Sequence, residues 1–118
     1  MLFSVHSCQN TNNSSSEGRI ITDMLGREVS VPEKVDEVVG IGPGAVRVIT
    51  YLKATDMIVG VEEVERRDGR PYIFAHPELK KLQGVGPQFT GSPELIASIS
   101  PDVIFKTYTT KSEAEELQ

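Results

Sequence analysis

The side chains best suited to chemistry in this sequence fall in four short stretches, each just after a run rich in β-branched residues. They are Gly42-Pro43-Gly44, Glu62 to Arg70, Gly86 to Phe89, and Thr107-Tyr108. Together they offer guanidinium groups on Arg66, Arg67 and Arg70, an amide on Gln88, and aromatic rings on Phe89 and Tyr108, with a third if Tyr72, just beyond the second stretch, is counted. Guanidinium forks pair with carboxylates and other oxyanions, and aromatic faces pack on a large ligand. No Ser/His/Asp or Cys/His set accompanies them, so the inventory suits binding more than catalysis, and no enzyme is expected. His6, His76 and the single cysteine, Cys8, form no spaced ligand set for zinc, and Cys8 has no partner for an internal disulfide. Neither a protein-only metal site nor a cofactor is expected.

One enzyme-like signal is Gly40-x-Gly42-x-x-Ala45 between a strand and a helix, with Glu62 at the end of the next strand, where a ribose-binding acid would lie. Pro43 lacks an amide hydrogen where backbone donors should meet a pyrophosphate, and Glu62, Glu63 and Glu65 crowd negative charge nearby. A nucleotide-binding Rossmann-like enzyme fragment is therefore the runner-up reading, and a stand-alone α/β interaction domain the third.

These loops need a scaffold that brings them to one edge. Ile20 and Ile21, a turn at Asp23 to Gly26, and Val29 and Val31 read as a short β-hairpin. Val35 to Ile41 reads as a buried strand ending at glycines, followed from Pro43 by a helix with Ala45, Val48, Ile49 and Leu52 facing inward. Met57 to Val61 is a second buried strand, and a strand, helix and strand this close form a parallel βαβ unit. Glu62 to Arg70 reads as a charged surface loop, Pro77 to Leu82 as a short helix and Gln83 to Val85 as a brief strand. Ser92 caps a helix with Pro93 at its first position and Leu95, Ile96 and Ile99 inward, and Val103 to Phe105 is a third core strand. The class is α/β, a Rossmann-like parallel sheet with flanking helices preceded by a short N-terminal β-hairpin. In an open parallel sheet ligands bind outside the carboxyl ends of the strands. Gly42, Pro43, Arg66, Arg67, Tyr72, Gln88, Phe89 and Tyr108 are thereby expected to line one open edge.

A length of 118 residues accommodates about one domain, and a formal charge of −5 offers no basic field for nucleic acid. No apolar run is long enough for a spanning helix, so any membrane link is expected to be a lipid anchor or a partner. Residues 1–18 read as a flexible polar leader and 19–118 as the folded part. A small residue before Cys8 and a Ser/Asn-rich stretch after it resemble a lipoprotein processing site, although seven preceding residues are too few for a signal peptide. Lys111 to Gln118 has helical composition but ends without a cap or a compensating apolar face, so the chain is expected to be part of a longer protein.

From Arg19 onward the order of blocks resembles the substrate-binding proteins of ABC importers for cobalamin, iron-siderophores and related metal chelates. The resemblance rests on Ile21-Thr22-Asp23-Met24-Leu25-Gly26-Arg27-Glu28-Val29-Ser30-Val31-Pro32, on Val38-Val39-Gly40-Ile41-Gly42-Pro43-Gly44-Ala45 and on Ile58-Val59-Gly60-Val61. It continues in Ser92-Pro93-Glu94-Leu95-Ile96-Ala97-Ser98-Ile99-Ser100-Pro101-Asp102-Val103-Ile104, the most specific block. It implies two α/β lobes joined by a stiff helix, with an iron-siderophore, haem or cobalamin-type chelate held between them and delivered to a membrane permease. Only the N-terminal lobe would be present here, as an excised or truncated piece. The resemblance further implies that Glu94 docks on permease arginines, that Cys8 carries lipid, and that the protein works in the periplasm or outside the cell.

Overall fold

The computed structural model describes residues 18–118, so the expectations for Cys8 and the polar leader lie outside the described residues. Strands β1 (Arg19–Thr22) and β2 (Glu28–Val31) pair antiparallel with Ile20 opposite Ser30. Asp23 shapes the turn between them. Its carboxylate accepts the Leu25 and Arg27 amides at 2.9 Å and the Arg27 guanidinium at 2.8 Å. Those contacts, the Arg27 amide foremost, hold its carboxyl below the ordinary range.

The remaining strands, β3 (Val38–Ile41), β4 (Ile58–Val61), β5 (Gln83–Gly84) and β6 (Val103–Lys106), form a parallel sheet in the order β5-β4-β3-β6. The α/β class, the parallel sheet and the separate hairpin expected from the sequence are what the structure contains. β3 has neighbours on both sides and is buried throughout, whereas β6 is an edge strand among the described residues and leaves Phe105 47% exposed. The expected third core strand is therefore half-exposed. Asp102 aligns β6 with β3 by accepting the Asp36 and Glu37 amides at 2.8 and 2.9 Å.

Helices α1 (Ala45–Tyr51), α2 (Pro71–Ala75), α3 (Pro93–Ile99) and α4 (Lys111–Glu116) complete the fold. Side chains alternate across a strand, so successive residues of β3 serve opposite cores. Val38 packs with Val46, Ile49, Ile58, Tyr72, Ile73 and Leu79 on one face, and Val39 and Ile41 pack with Val85 and Ile96 on the other.

Several helix details differ from expectation. α1 starts at Ala45, with Gly44 as its cap, rather than at Pro43, and the face packed on the sheet carries Ala45, Val46, Ile49 and Thr50 while Val48 and Leu52 face out. The buried Thr50 hydroxyl is satisfied by donating to the Val46 carbonyl at 2.9 Å. In α3 only Ile96 is fully buried and Leu95 is exposed. α4 is better anchored than its composition suggests. Thr110 and Glu113 form a reciprocal capping box, Ala114 is buried and Leu117 packs on the second core.

Gly60 lets α3 and β5 close on β4, since a Cβ there would lie 2.7 Å from Val85 Cγ1 and 2.8 Å from Ile99 Cδ1. Gly60→Ala overpacks a site with no slack and is expected to cost about 1–3 kcal/mol. A lower urea midpoint at unchanged slope is the measurement that checks it.

Candidate functional site

All four sheet strands run in one direction, so the segments after β3, β4, β5 and β6 emerge at a single edge. Gly42 stands at the centre of that edge. Its φ of +90° lies in the left-handed region, and a Cβ would come within 2.6 Å of Thr107 Oγ1, so only glycine fits between the β3 and β6 loops. Thr107 closes the contact by donating its hydroxyl to the Pro43 carbonyl at 3.1 Å and its amide to the Ile41 carbonyl at 2.9 Å.

From the other side the Gly42 amide donates to Glu62 Oε2 at 3.0 Å. Glu62 is 1% exposed, and its Oε1 has no hydrogen-bond partner among the described residues. Burial pushes this carboxyl above the ordinary range, against the opposing pull of the Gly42 and Phe89 amides. The Glu63 amide ties this segment to the loop after β5 by donating to the Gly86 carbonyl at 3.0 Å.

Among the described residues, four other than glycine have positive φ: Lys53, Phe89, Ser100 and Tyr108. Lys53 and Ser100 directly follow helices, where a left-handed residue commonly ends the turn. Phe89 and Tyr108 have no such explanation, and an aromatic side chain in that region carries strain. Both rings remain exposed, by 47% and 80%.

Gly42, Pro43, Gln88, Phe89 and Tyr108 thus lie on loops that meet at the carboxyl edge. Arg66 and Tyr72 are placed differently. Arg66 pairs with Glu63 at 3.3 Å and donates to the Lys80 carbonyl at 3.3 Å, which turns it toward the β5 flank. Tyr72 is a core residue of α2, 7% exposed, with its hydroxyl donating to Glu65 at 2.6 Å. Burial, then that bond to Glu65, raises its phenol well above the ordinary range. The Glu62 to Arg70 stretch is therefore not a purely solvated loop. It contains a 3-10 turn over Glu63–Arg66 and buries both Glu62 and Glu65, the latter facing Arg70 at 3.6 Å.

Arg67 is exposed with no ion-pair partner among the described residues. Arg47, not singled out in the sequence, is exposed too, and its Nη2 would lie 3.1 Å from a Cβ on Gly44. Its spacing on the outer face of α1 was the available signal. Glu94 is exposed at the start of α3. Its own backbone amide first, then Ser92 Oγ donating at 2.9 Å, holds its carboxyl below the ordinary range.

The glycine fingerprint has a packing role. A Cβ on Gly40 would lie 3.1 Å from Val46 Cγ2 and Ile49 Cδ1, and the Gly42 amide that a pyrophosphate would need is already bound to Glu62. Glu62 itself is too buried to meet a ribose.

A parallel sheet with these loops gathered outside its carboxyl ends makes the chain an α/β lobe with its candidate site at the edge where open parallel sheets bind ligands. No protein-family model matches the chain. The chain is similar to the molybdate-binding protein MolA of Haemophilus influenzae, with 32% identity over 96 residues, 80% of this chain and 27% of MolA. It thus spans about a quarter of the length of that relative. The solved structure of MolA bound to molybdate matches with a TM-score of 0.68, covering 80% of this chain and 29% of that one. The heme binding protein HmuT matches at 19% identity and a TM-score of 0.63, over 85% of this chain and 31% of its own. Helicobacter pylori CeuE with Ni(II) bound matches at 16% identity and a TM-score of 0.64, over 84% and 33%. At those identities the likeness to HmuT and CeuE is one of fold. Over the matched residues the chain shares its fold with part of these binding proteins, the kind of protein that its sequence blocks resemble.

Glu62 gives this edge a signature in stability. Its folded pKa lies above the ordinary value of 4.5, so the folded chain holds this proton more tightly than the unfolded chain. The associated stability is full below the unfolded value and is lost as pH rises through the folded one. Glu62→Gln, which keeps an acceptor for Gly42 and cannot ionise, should gain in melting temperature relative to wild type as pH rises. A difference that stays constant from acid to alkaline pH would contradict this assignment.

Proposed function

We propose that the chain is the N-terminal lobe of the substrate-binding component of an ABC importer, and that its carboxyl edge takes an anionic metal ligand for delivery to a permease. The observation that carries this reading is the meeting of the Gly42-Pro43, Gln88-Phe89 and Thr107-Tyr108 segments, with two strained aromatic residues left exposed there. Strain in a backbone persists where the surrounding structure enforces it, commonly at ligand sites. Arg47 and Arg67 supply unpaired positive charge, and a guanidinium suits an oxyanion or a carboxylate of a chelate. The sequence likeness to a molybdate-binding protein puts a metal oxyanion beside the siderophore, haem and cobalamin chelates as the ligand. Arg66 and Tyr72 drop out of the proposed binding set because their polar groups are already engaged.

The ligand arm is tested by amide spectra of the 15N-labelled chain with molybdate, haem, cobalamin and a ferric siderophore added separately. The ligand that belongs here should move Gly42, Arg67, Phe89 and Tyr108 together. Shifts confined to residues of β2 and β6, or none with any of the four, would refute the site.

Glu94 is the proposed contact to the permease, held ionised and exposed on the helix that starts at the ligand edge. Charge at a protein interface governs partner choice and encounter more than fold. Glu94→Gln in the complete transporter should weaken permease binding while ligand affinity and melting temperature barely change. A loss of stability with unchanged transport would leave Glu94 a helix-start residue only. Placement in the periplasm or outside the cell, with Cys8 as a lipid anchor, completes the proposal.

A further inference from the structure

Two carboxylates are buried among the described residues, and they are not equivalent. Glu65 is matched by the Tyr72 hydroxyl and by Arg70. Glu62 receives the Gly42 amide on Oε2, while Oε1 is buried and unpartnered. Its position is central: it directly follows β4, bonds the loop after β3, and precedes Glu63, whose amide donates to the Gly86 carbonyl in the loop after β5 at 3.0 Å.

We propose that Glu62 is a positioning residue that couples the Gly42-Pro43 loop to the Gln88-Phe89 loop, and that its proton makes anion capture at this edge pH-dependent, tighter on the acid side. The second half rests on the ligand reading above; the first half stands on the Gly42 bond to Glu62, its buried unpartnered Oε1 and the Glu63 bond to Gly86. An ionised Glu62 holds the Gly42 amide by a charge-assisted hydrogen bond, draws on the Phe89 amide by its charge, and places a negative charge behind the loops that would face an anion. A protonated Glu62 removes that repulsion, and its oxygens still accept from an amide. The charged groups that act on it are Glu65, on the 3-10 turn, which opposes ionisation, and Lys106, on β6, which favours it. No bond is made or broken beyond the transfer of one proton to solvent.

The test is a pH titration of the 15N-labelled 118-residue chain from about pH 5 to about pH 9, the span in which a buried glutamate titrates. The Gly42 and Phe89 amides should follow one common curve with a midpoint above the ordinary 4.5, and Glu62→Gln should abolish it at both positions. Separate midpoints, or a curve that survives Glu62→Gln, would overturn the coupling. If that variant fails to fold, the carboxyl carbon of Glu62 in the wild-type chain must titrate with the same midpoint as the two amides, and a mismatch is equally fatal.

Molybdate is the probe for the second half. Its dissociation constant in the wild-type chain should rise about fivefold or more across the midpoint, within the usual range of coupling between two sites, and stay flat in Glu62→Gln. A wild-type affinity indifferent to pH would remove the proton dependence. Failure of molybdate to bind at any pH would remove molybdate as the ligand and the anion half of this proposal with it, leaving the amide curves to decide the coupling.

Discussion

The carboxyl edge depends on the way Gly42 is held between two neighbours. On one side there is no room for a side chain against Thr107, and on the other the amide is committed to buried Glu62. A residue with a Cβ would have to displace the β6 loop and would also strain the backbone at φ +90°. Because the strands on both sides of β3 end in loops that touch this residue or its carboxylate partner, three segments far apart in sequence share one reference point. The aromatic residues of the edge are displayed from that point.

The same constraint separates what the sequence revealed from what it concealed. β-branched runs ending at glycine were enough to find β3 and β4, and Ser92-Pro93 before an apolar stretch was enough to find α3, because each signal is local. The inward faces of the helices were less legible. Thr50 can be buried because its hydroxyl bonds within its own helix, and Leu52 is exposed at the C-cap of α1, neither of which hydrophobic spacing encodes. Glu62 and Glu65 looked like solvated charge beside Glu63 and Arg66. Their burial depends on partners brought by tertiary structure: an amide from β3's loop for one, and Tyr72 of a short helix missed in the sequence for the other. That pairing is also why Tyr72, read as a ligand contact, belongs to the core.

The candidate site was legible as a set of loops and not as a set of side chains. Parallel strands oblige the following segments to share an edge, so Gly42, Pro43, Gln88, Phe89 and Tyr108 could be grouped before any coordinates. Which arginine stays free is a matter of local competition. Arg66 has a carboxylate three residues away and a carbonyl within reach, whereas Arg67 and Arg47 have neither among the described residues. Exposed aromatic residues and unpaired guanidinium groups are what this edge offers a ligand in the proposed reading.

The most direct test of the account is hydrogen exchange at the Gly42 amide near neutral pH. Held by a buried carboxylate with no solvent path, it should be protected to the level of the β3 amides and open only with the core. Exchange as fast as at Gly69, in the exposed part of the charged loop, would show that Glu62 does not hold Gly42 and that the carboxyl edge is not organised around it.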